Sequence, residues 1–369
     1  MYWMPKMHKH PSKARFIIAS ASCSTKPLSK TVSNVFKLLF QQIKNFHHKS
    51  LFYKNYNFFW VVDNSTTIIE KLHHINEKKK AKEISTYDFS TLYTKIEHPS
   101  LIRVLHEIID FVFKGGNRRY IACSNNKAFW CKVKPKEIPS FTKTSLKAVV
   151  EHLIRNSYFE IGSFILCQSI GIPMGIDPAP FWANLYLYFY ENKFIKDLMK
   201  TNPTDARKFF HATRFIDDEC NLNDSGTFAK YHQRIYPPEL ELKCEHQGTH
   251  ATFLDLDINV VNNIFVYKLF DKRDEFPFSI IRMPDRSSNI PRFIFYGTIM
   301  SEFIRITRST LLFNDFLPRA SALFSRMVSQ GGDPIKILGQ IKKSFSRHTS
   351  IFEKYGKTSQ QIVDLIQRT

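Results

Sequence analysis

The chain has little that would take it out of the cell or into a membrane. Its first residues, Met1-Tyr2-Trp3-Met4-Pro5-Lys6, lack the apolar stretch of a secretory leader. No uninterrupted apolar run reaches the roughly 18 residues that suggest a membrane span. The six cysteines (Cys23, Cys123, Cys131, Cys167, Cys220, Cys244) include no Cys-x-x-Cys pair, which argues against a disulfide framework or a zinc ribbon and for reduced thiols in an intracellular protein. One ligand-like cluster, Cys244-x-His246-x-x-x-His250, lacks a fourth ligand at suitable spacing. There is no internal repeat. Acidic residues are scarce beside basic ones, 33 against 53, leaving a formal net charge of +20. A surplus of that size favours polyanions, and aromatic residues, 14% of the chain, can stack on bases where Lys and Arg meet phosphates. Charge alone also fits a basic protein without a specific partner.

With 43% hydrophobic residues in 369, the chain can bury one large core or two to three smaller ones. Its most informative stretch is Arg214-Phe215-Ile216-Asp217-Asp218-Glu219. Period-two spacing predicts short strands over Thr213 to Ile216 and Cys220 to Leu222, with the Asp pair at the tip of a tight hairpin. Adjacent carboxylates repel, so such a tip must be solvated, paired with cations or used to hold a metal. Taken alone it is an ordinary solvated turn, because Asp is a preferred turn residue.

Elsewhere, Pro11 predicts a turn before a strand led by Lys13 and Arg15. Lys6, Lys9, Lys13 and Arg15 on that hairpin could hold a triphosphate, or merely protect a basic edge strand. Helical spacing covers 28 to 46 and 64 to 80, and residues 84 to 89 read as a strand with Asp88 near its end. From 98 to 165 the signal is mixed, with helices expected at Leu101 to Phe113 and Ser145 to Asn156. Gly171-Ile172-Pro173-Met174-Gly175 precedes an amphipathic helix, Phe181 to Asp197, and its glycines allow close backbone approach to a ligand. A hairpin with one strand from Phe253 to Val260, turning at Asn262-Asn263, is expected next, then a helical region from 289. Arg292, Arg305, Arg308, Lys342 and Lys343 make that region's exposed positions basic.

In this order the motifs resemble reverse transcriptases, most closely those of Penelope-like retroelements. The resemblance rests on Pro5-Lys6-Met7-His8-Lys9 with Lys13-Ala14-Arg15-Phe16, on Tyr87-Asp88-Phe89-Ser90-Thr91-Leu92-Tyr93-Thr94, and on Gly171 to Gly175 with Ala183-Asn184-Leu185. It continues through Phe215-Ile216-Asp217-Asp218 and Phe253-Leu254-Asp255-Leu256. It implies an α+β right-hand polymerase fold, with an antiparallel palm sheet backed by helices on one face and a mainly helical thumb. Fingers would span 1–83, the first part of the palm 84–97, a fingers/palm insertion 98–165, the second part of the palm 166–272 with a primer-grip-like hairpin at 253–267, and the thumb 273–369.

The implied activity is RNA-directed DNA synthesis for a retrotransposon, adding dNTPs to a primer 3′ end by two-metal-ion chemistry. Asp88, Asp217 and Asp218 would be the catalytic acids, with Asp88 and Asp217 holding two Mg²⁺ ions that Mn²⁺ can replace. Lys6, Arg15, Phe89, Tyr93 and Gln168 would bind the dNTP, with Tyr93 as the steric gate against a ribose 2′-hydroxyl. Gly171, Pro173, Met174, Gly175, Phe253 and Leu254 would face template and primer. The implied partners are an RNA template, a DNA primer and dNTPs, with no membrane, and the implied location is nuclear, for target-primed synthesis. Asp177 and Glu219 depart from the family pattern, where a small and an apolar residue are usual, and no GIY-YIG endonuclease motif is seen. The alternative expectation is an inactive, truncated remnant that only binds nucleic acid.

Overall fold

A computed structural model describes residues 2–5, 14–18, 20–115, 119–124, 126–173, 175–276, 278, 280 and 282–368. In chain order its elements begin with β1 (Tyr2–Pro5), β2 (Ala14–Ile17), α1 (Lys26–Lys54), α2 (Ser65–Glu77), β3 (Ile84–Phe89), α3 (Leu92–Lys95) and α4 (His98–Phe113). Then come β4 (Tyr120–Ser124), β5 (Lys127–Cys131), β6 (Ser140–Phe141), α5 (Lys143–Arg155), β7 (Tyr158–Ile161), β8 (Phe164–Cys167), α6 (Ala179–Thr201) and α7 (Pro203–Lys208). The hairpin strands β9 (Thr213–Phe215) and β10 (Asp218–Leu222) follow, then α8 (Thr227–Ile235), β11 (Leu242–Gly248), β12 (His250–Phe253), β13 (Leu256–Val261) and β14 (Ile264–Leu269). The chain ends in α9 (Arg292–Arg308), α10 (Phe313–Ser329), α11 (Pro334–Arg347) and α12 (Ser359–Arg368). None of the described helices is long and apolar enough to cross a membrane.

The chain divides into two compact units, one from Met1–Val61 and Tyr87–Glu245, the other from Val62–Thr86 and His246–Thr369. In the first, the apolar face expected on α1 (Val32, Val35, Phe36, Leu39, Ile43) joins residues of α4, α5 and α6 in one core. Helix α6 is buried on most sides, through Trp182, Ala183, Leu185, Tyr186, Leu187, Ile195 and Leu198, and its Glu191 takes Arg214 of β9, which ties it to the hairpin strands β9 and β10. Those strands lie in a four-stranded sheet ordered β11-β3-β10-β9. Thr142 caps α5, accepting a bond from the Ser145 amide while the Ser145 side chain takes the Thr142 amide. The stretch of mixed signal also contains β4 to β8, short strands with little alternation in burial.

In the second unit β12, β13 and β14 form an antiparallel meander, and α2 lies on its last strand. Asn76 bonds both the amide and the carbonyl of Phe265, and His73 meets the Tyr267 hydroxyl at 2.8 Å. The single strand expected from Phe253 is a correction. The chain breaks at Leu254-Asp255 into a first hairpin, with Phe253 opposite Leu256, before the Asn262-Asn263 turn makes the second. The C-terminal helices pack around Phe303, Phe316, Ile337, Ile341, Phe345 and Phe352. Arg305 is not a free surface cation, since it bonds Glu302 at 2.8 Å and lies 3.6 Å from Asp255 and 3.9 Å from Asp271.

Candidate active site

The hairpin that carries the acidic pair is tighter than its sequence suggests. Phe215 pairs with Asp218, Arg214 with Glu219 and Thr213 with Cys220, so the turn is Ile216-Asp217. Only Asp217 stands on the tip, and Asp218 opens the return strand. Ile216 takes a φ of +55° while Asp217 does not have a positive φ. A hairpin turn with positive φ at its first central position ordinarily carries Gly there, and a β-branched residue in that region is strained. Something must hold it.

The holding group lies beneath the turn. Directly opposed residues share a face of the sheet, so Arg214 and Glu219 point the same way, and both are 0% exposed. The Arg214 guanidinium donates to Glu191 on α6 at 2.5 and 3.3 Å, to the side chain and carbonyl of Asn184 at 2.9 and 3.1 Å, and to the Ile216 carbonyl at 2.8 Å. Tyr236 gives its hydroxyl to the same Glu191 carboxylate at 3.1 Å. Burial opposes the charge on Arg214, but the Glu191 carboxylate beside it outweighs that and raises its pKa above the ordinary value. Glu219, the odd member of the motif, is thus no third charge on the tip. It belongs to the buried layer, where it also favours the Arg214 cation.

Asp88 arrives from β3, the strand next to β10. The amide of the following residue, Phe89, donates to the Asp217 carbonyl at 3.0 Å, which sets the backbones of Asp88 and Asp217 side by side. Asp88, Asp217 and Asp218 are all half-buried. The end of β3 is fixed from its other side too: Ser90 bonds the Glu241 carbonyl and carboxylate at 3.1 and 3.2 Å, and the Glu241 amide donates to Thr91 at 2.9 Å. Phe89 itself is 3% exposed and packs edge-on to Tyr236, so its side chain is part of the core and its amide is engaged by the turn.

Tyr93, Gln168 and the glycine loop come together on the same unit. Gly171 donates its amide to the Ile96 carbonyl at 2.7 Å, and Ile172 donates to Tyr93 at 2.9 Å. A Cβ on Gly171, whose φ is +88°, would stand 2.4 Å from the Tyr93 carbonyl oxygen, so glycine is what lets the loop lie against α3. Gln168 bonds the Ile170 carbonyl at 2.8 Å and is half-buried, as is Tyr93, while Pro173 is buried. The Asp177 departure has a structural reason. Its carboxylate takes Lys26 and Ser29 at 2.9 Å each, its amide donates back to Ser29 at 3.0 Å, and Ser20 bonds the Gly175 carbonyl. Burial pushes the Asp177 pKa up, but Lys26 and Ser29 hold it below the usual carboxylate range. Asp177 therefore tethers the loop to α1.

Gly175 has φ +115°, and a Cβ there would meet the Ile18 carbonyl oxygen at 2.0 Å. Gly175→Ala is expected to cost about 1–3 kcal/mol from backbone strain alone and to lower the melting temperature of the first unit. The control is Gly297→Ala, in the interior of α9 with nothing within 4 Å of the added carbon, which should be neutral or stabilising. Equal melting curves for the Gly175 variant and the parent would refute the close approach.

Of the other expected site residues, Lys6 and Met174 lie outside the described residues, and Arg15 is described only through its backbone on β2. Phe253 and Leu254 belong to the second unit, where Leu254 repeats the φ of +55° seen at Ile216. Among the described residues no group of three or more His, Cys, Asp or Glu is arranged to hold a metal ion. His246 bonds Thr86 at 3.1 Å and His250 bonds Asp257 at 2.8 Å. Sequence reasoning missed Arg214, Glu191 and Asn184 as a set. The available signals were an Arg inside an otherwise apolar strand and the spacing of Asn184 and Glu191, two turns apart on one face of α6.

No protein-family model matches the chain, and no curated protein does. Solved structures do. Telomerase from Candida albicans, in complex with the TWJ fragment of telomeric RNA, aligns with a TM-score of 0.60 at 11% identity, covering 92% of this chain and 55% of that one. Apo telomerase from Candida tropicalis gives 0.48 at 12% identity over 92% of this chain and 54% of that one. The Sicinivirus 3Dpol RNA-dependent RNA polymerase gives 0.40 at 11% over 79% and 54%. The last two alignments are too loose to argue from. The first gives the chain the mixed α+β, reverse-transcriptase-like polymerase fold over 92% of its length, and the chain spans about half of the telomerase it matches.

Proposed function

We propose that the chain is an RNA-directed DNA polymerase of the kind found in Penelope-like retroelements, adding dNTPs to the 3′ end of a DNA primer on an RNA template. The single observation that carries the reading is the bond from the amide beside Asp88 to the Asp217 carbonyl, which sets the backbones of two acidic residues remote in sequence side by side in a polymerase-like fold. The donor set suits Mg²⁺, or Mn²⁺ in its place: hard carboxylate oxygens without thiolate or imidazole, few in number, as expected where substrate phosphates and water complete the shell. Bound there, two such ions would acidify the primer hydroxyl and neutralise the departing pyrophosphate.

The rest of the site is assigned from the same reading. Asp88 and Asp217 hold the metals and Asp218 is the third acid. Lys6 and Arg15 meet the triphosphate, Gln168 and the 171–175 loop meet the nascent base pair, and Phe253 and Leu254 meet the primer. Phe89 contributes by joining β3 to the turn. The division into fingers (1–83), palm (84–97 and 166–272), an insertion (98–165) and a thumb (273–369) belongs to this proposal, as does a nuclear role in retrotransposition.

The test is extension of oligo(dT) on poly(rA) with dTTP and Mg²⁺ or Mn²⁺. Binding of the hybrid without extension would reduce the chain to a nucleic-acid-binding remnant. Sugar choice tests the gate. Tyr93→Ala should lower the preference for dTTP over UTP by about 5- to 150-fold, the equivalent of the 1–3 kcal/mol of overpacking that a 2′-hydroxyl would meet against the ring. An unchanged ratio of kcat/KM values would remove Tyr93 from that role.

A further inference from the structure

Arg214 spends all five of its N–H donors, and four of the bonds run to α6, on Glu191 and Asn184. The fifth goes to the carbonyl of Ile216, two residues further along the chain, at 2.8 Å. That carbonyl belongs to the peptide linking Ile216 to Asp217, so the bond fixes the plane from which the Asp217 side chain departs. Ile216 is also the residue held at a φ that Cβ-bearing, β-branched residues avoid. A buried ion pair serving the core alone would need only the bonds to α6. The planar fork of Arg presents five donors that reach α6 and the turn at once, whereas Lys offers three from a single point and cannot reproduce the set of bonds to Glu191, both oxygens of Asn184 and the Ile216 carbonyl.

We propose that Arg214 is a positioning residue for the Asp217 turn, clamping the Ile216 carbonyl to Glu191 and Asn184 of α6 so that the strained turn presents the Asp217 carboxylate in one orientation. The inference rests on the proposed reading of Asp217 as a metal ligand. Arg214 touches no substrate and acts through the turn.

The experiment measures Mn²⁺ binding to the full chain by electron paramagnetic resonance of the free ion, without nucleotide, for wild type, Arg214→Lys, Asn184→Ala and the double variant Arg214→Lys/Ile216→Gly. Arg214→Lys should weaken binding by about 10- to 100-fold, the range for losing a partner that orients a ligand. Asn184→Ala, which removes one anchor of the clamp, should weaken it less and covers the case in which Arg214→Lys does not fold. Ile216→Gly supplies the residue that such a turn prefers, so the double variant should regain part of the lost affinity. Unchanged affinity in a folded Arg214→Lys or Asn184→Ala chain, or a double variant no better than the single, overturns the clamp. A wild-type chain that neither binds Mn²⁺ nor extends a primer defeats the proposed function instead. The clamp is then judged by the ¹³C shifts of Ile216, which should leave their positive-φ values in Arg214→Lys or Asn184→Ala; unmoved shifts overturn it.

Discussion

Replacing Asp217 by Asn should lower primer extension at least about 10³-fold while leaving folding and nucleic-acid binding in place. A metal ligand at the developing charge contributes several kcal/mol to the transition state, and about 4 kcal/mol corresponds to a factor of 10³. Asn has the size of Asp but would offer a metal there only a neutral oxygen. The contact that joins the turn to β3 uses the Asp217 backbone carbonyl, so the substitution leaves it intact. The Arg214 bond to the Ile216 carbonyl is likewise a backbone contact. Melting curves and hybrid binding should therefore match the parent. Asp218→Asn should cost less, since Asp218 opens β10 opposite Phe215 and in the proposed reading is the third acid rather than one of the two that would hold metal. Extension by Asp217→Asn at the parent rate would remove the turn from the chemistry.

The parts of the fold that follow from local periodicity were legible in the sequence. The apolar face of α1 and the strand Ile84–Phe89 lie where residue spacing puts them. The Asn262-Asn263 turn was also legible, because Asn is a residue that tolerates the positive φ both positions adopt there. The two turns that matter most were harder to place. Ile216-Asp217 and Leu254-Asp255 each put an apolar residue at φ +55° and an Asp after it, where turn chemistry calls for Gly or Asn at the first position. Local rules read Ile216 and Leu254 as strand, and only long-range contacts make them turns. The same holds for Asp177, whose partners Lys26 and Ser29 come from a helix near the start of the chain. The strands between α4 and α6 left a weak signal because they are short and largely half-exposed, without a buried face to impose alternation. The candidate carboxylates were legible through motif order. The layer that supports them was not.

That layer sets the second large effect. Glu191→Leu should cost the first unit about 3–5 kcal/mol, because it strands the Arg214 charge at a site that is 0% exposed and removes the acceptor of the Tyr236 hydroxyl. The loss should appear as a fall of roughly 10 °C in melting temperature, with the second unit monitored separately since two units need not unfold together. Replacing both partners, as Arg214→Met/Glu191→Leu, removes the stranded cation, and apolar replacements for a buried pair are often neutral. The double variant should thus recover part of the stability. The recovery stops short because Glu219, on the same face and equally buried, loses the cation opposite it. Activity should not follow stability upward, because the double variant has no donor for the Ile216 carbonyl. Melting temperature and extension rate should therefore part company in this one variant. If extension recovers along with the melting temperature, the pair serves the core alone and the turn holds its shape without it.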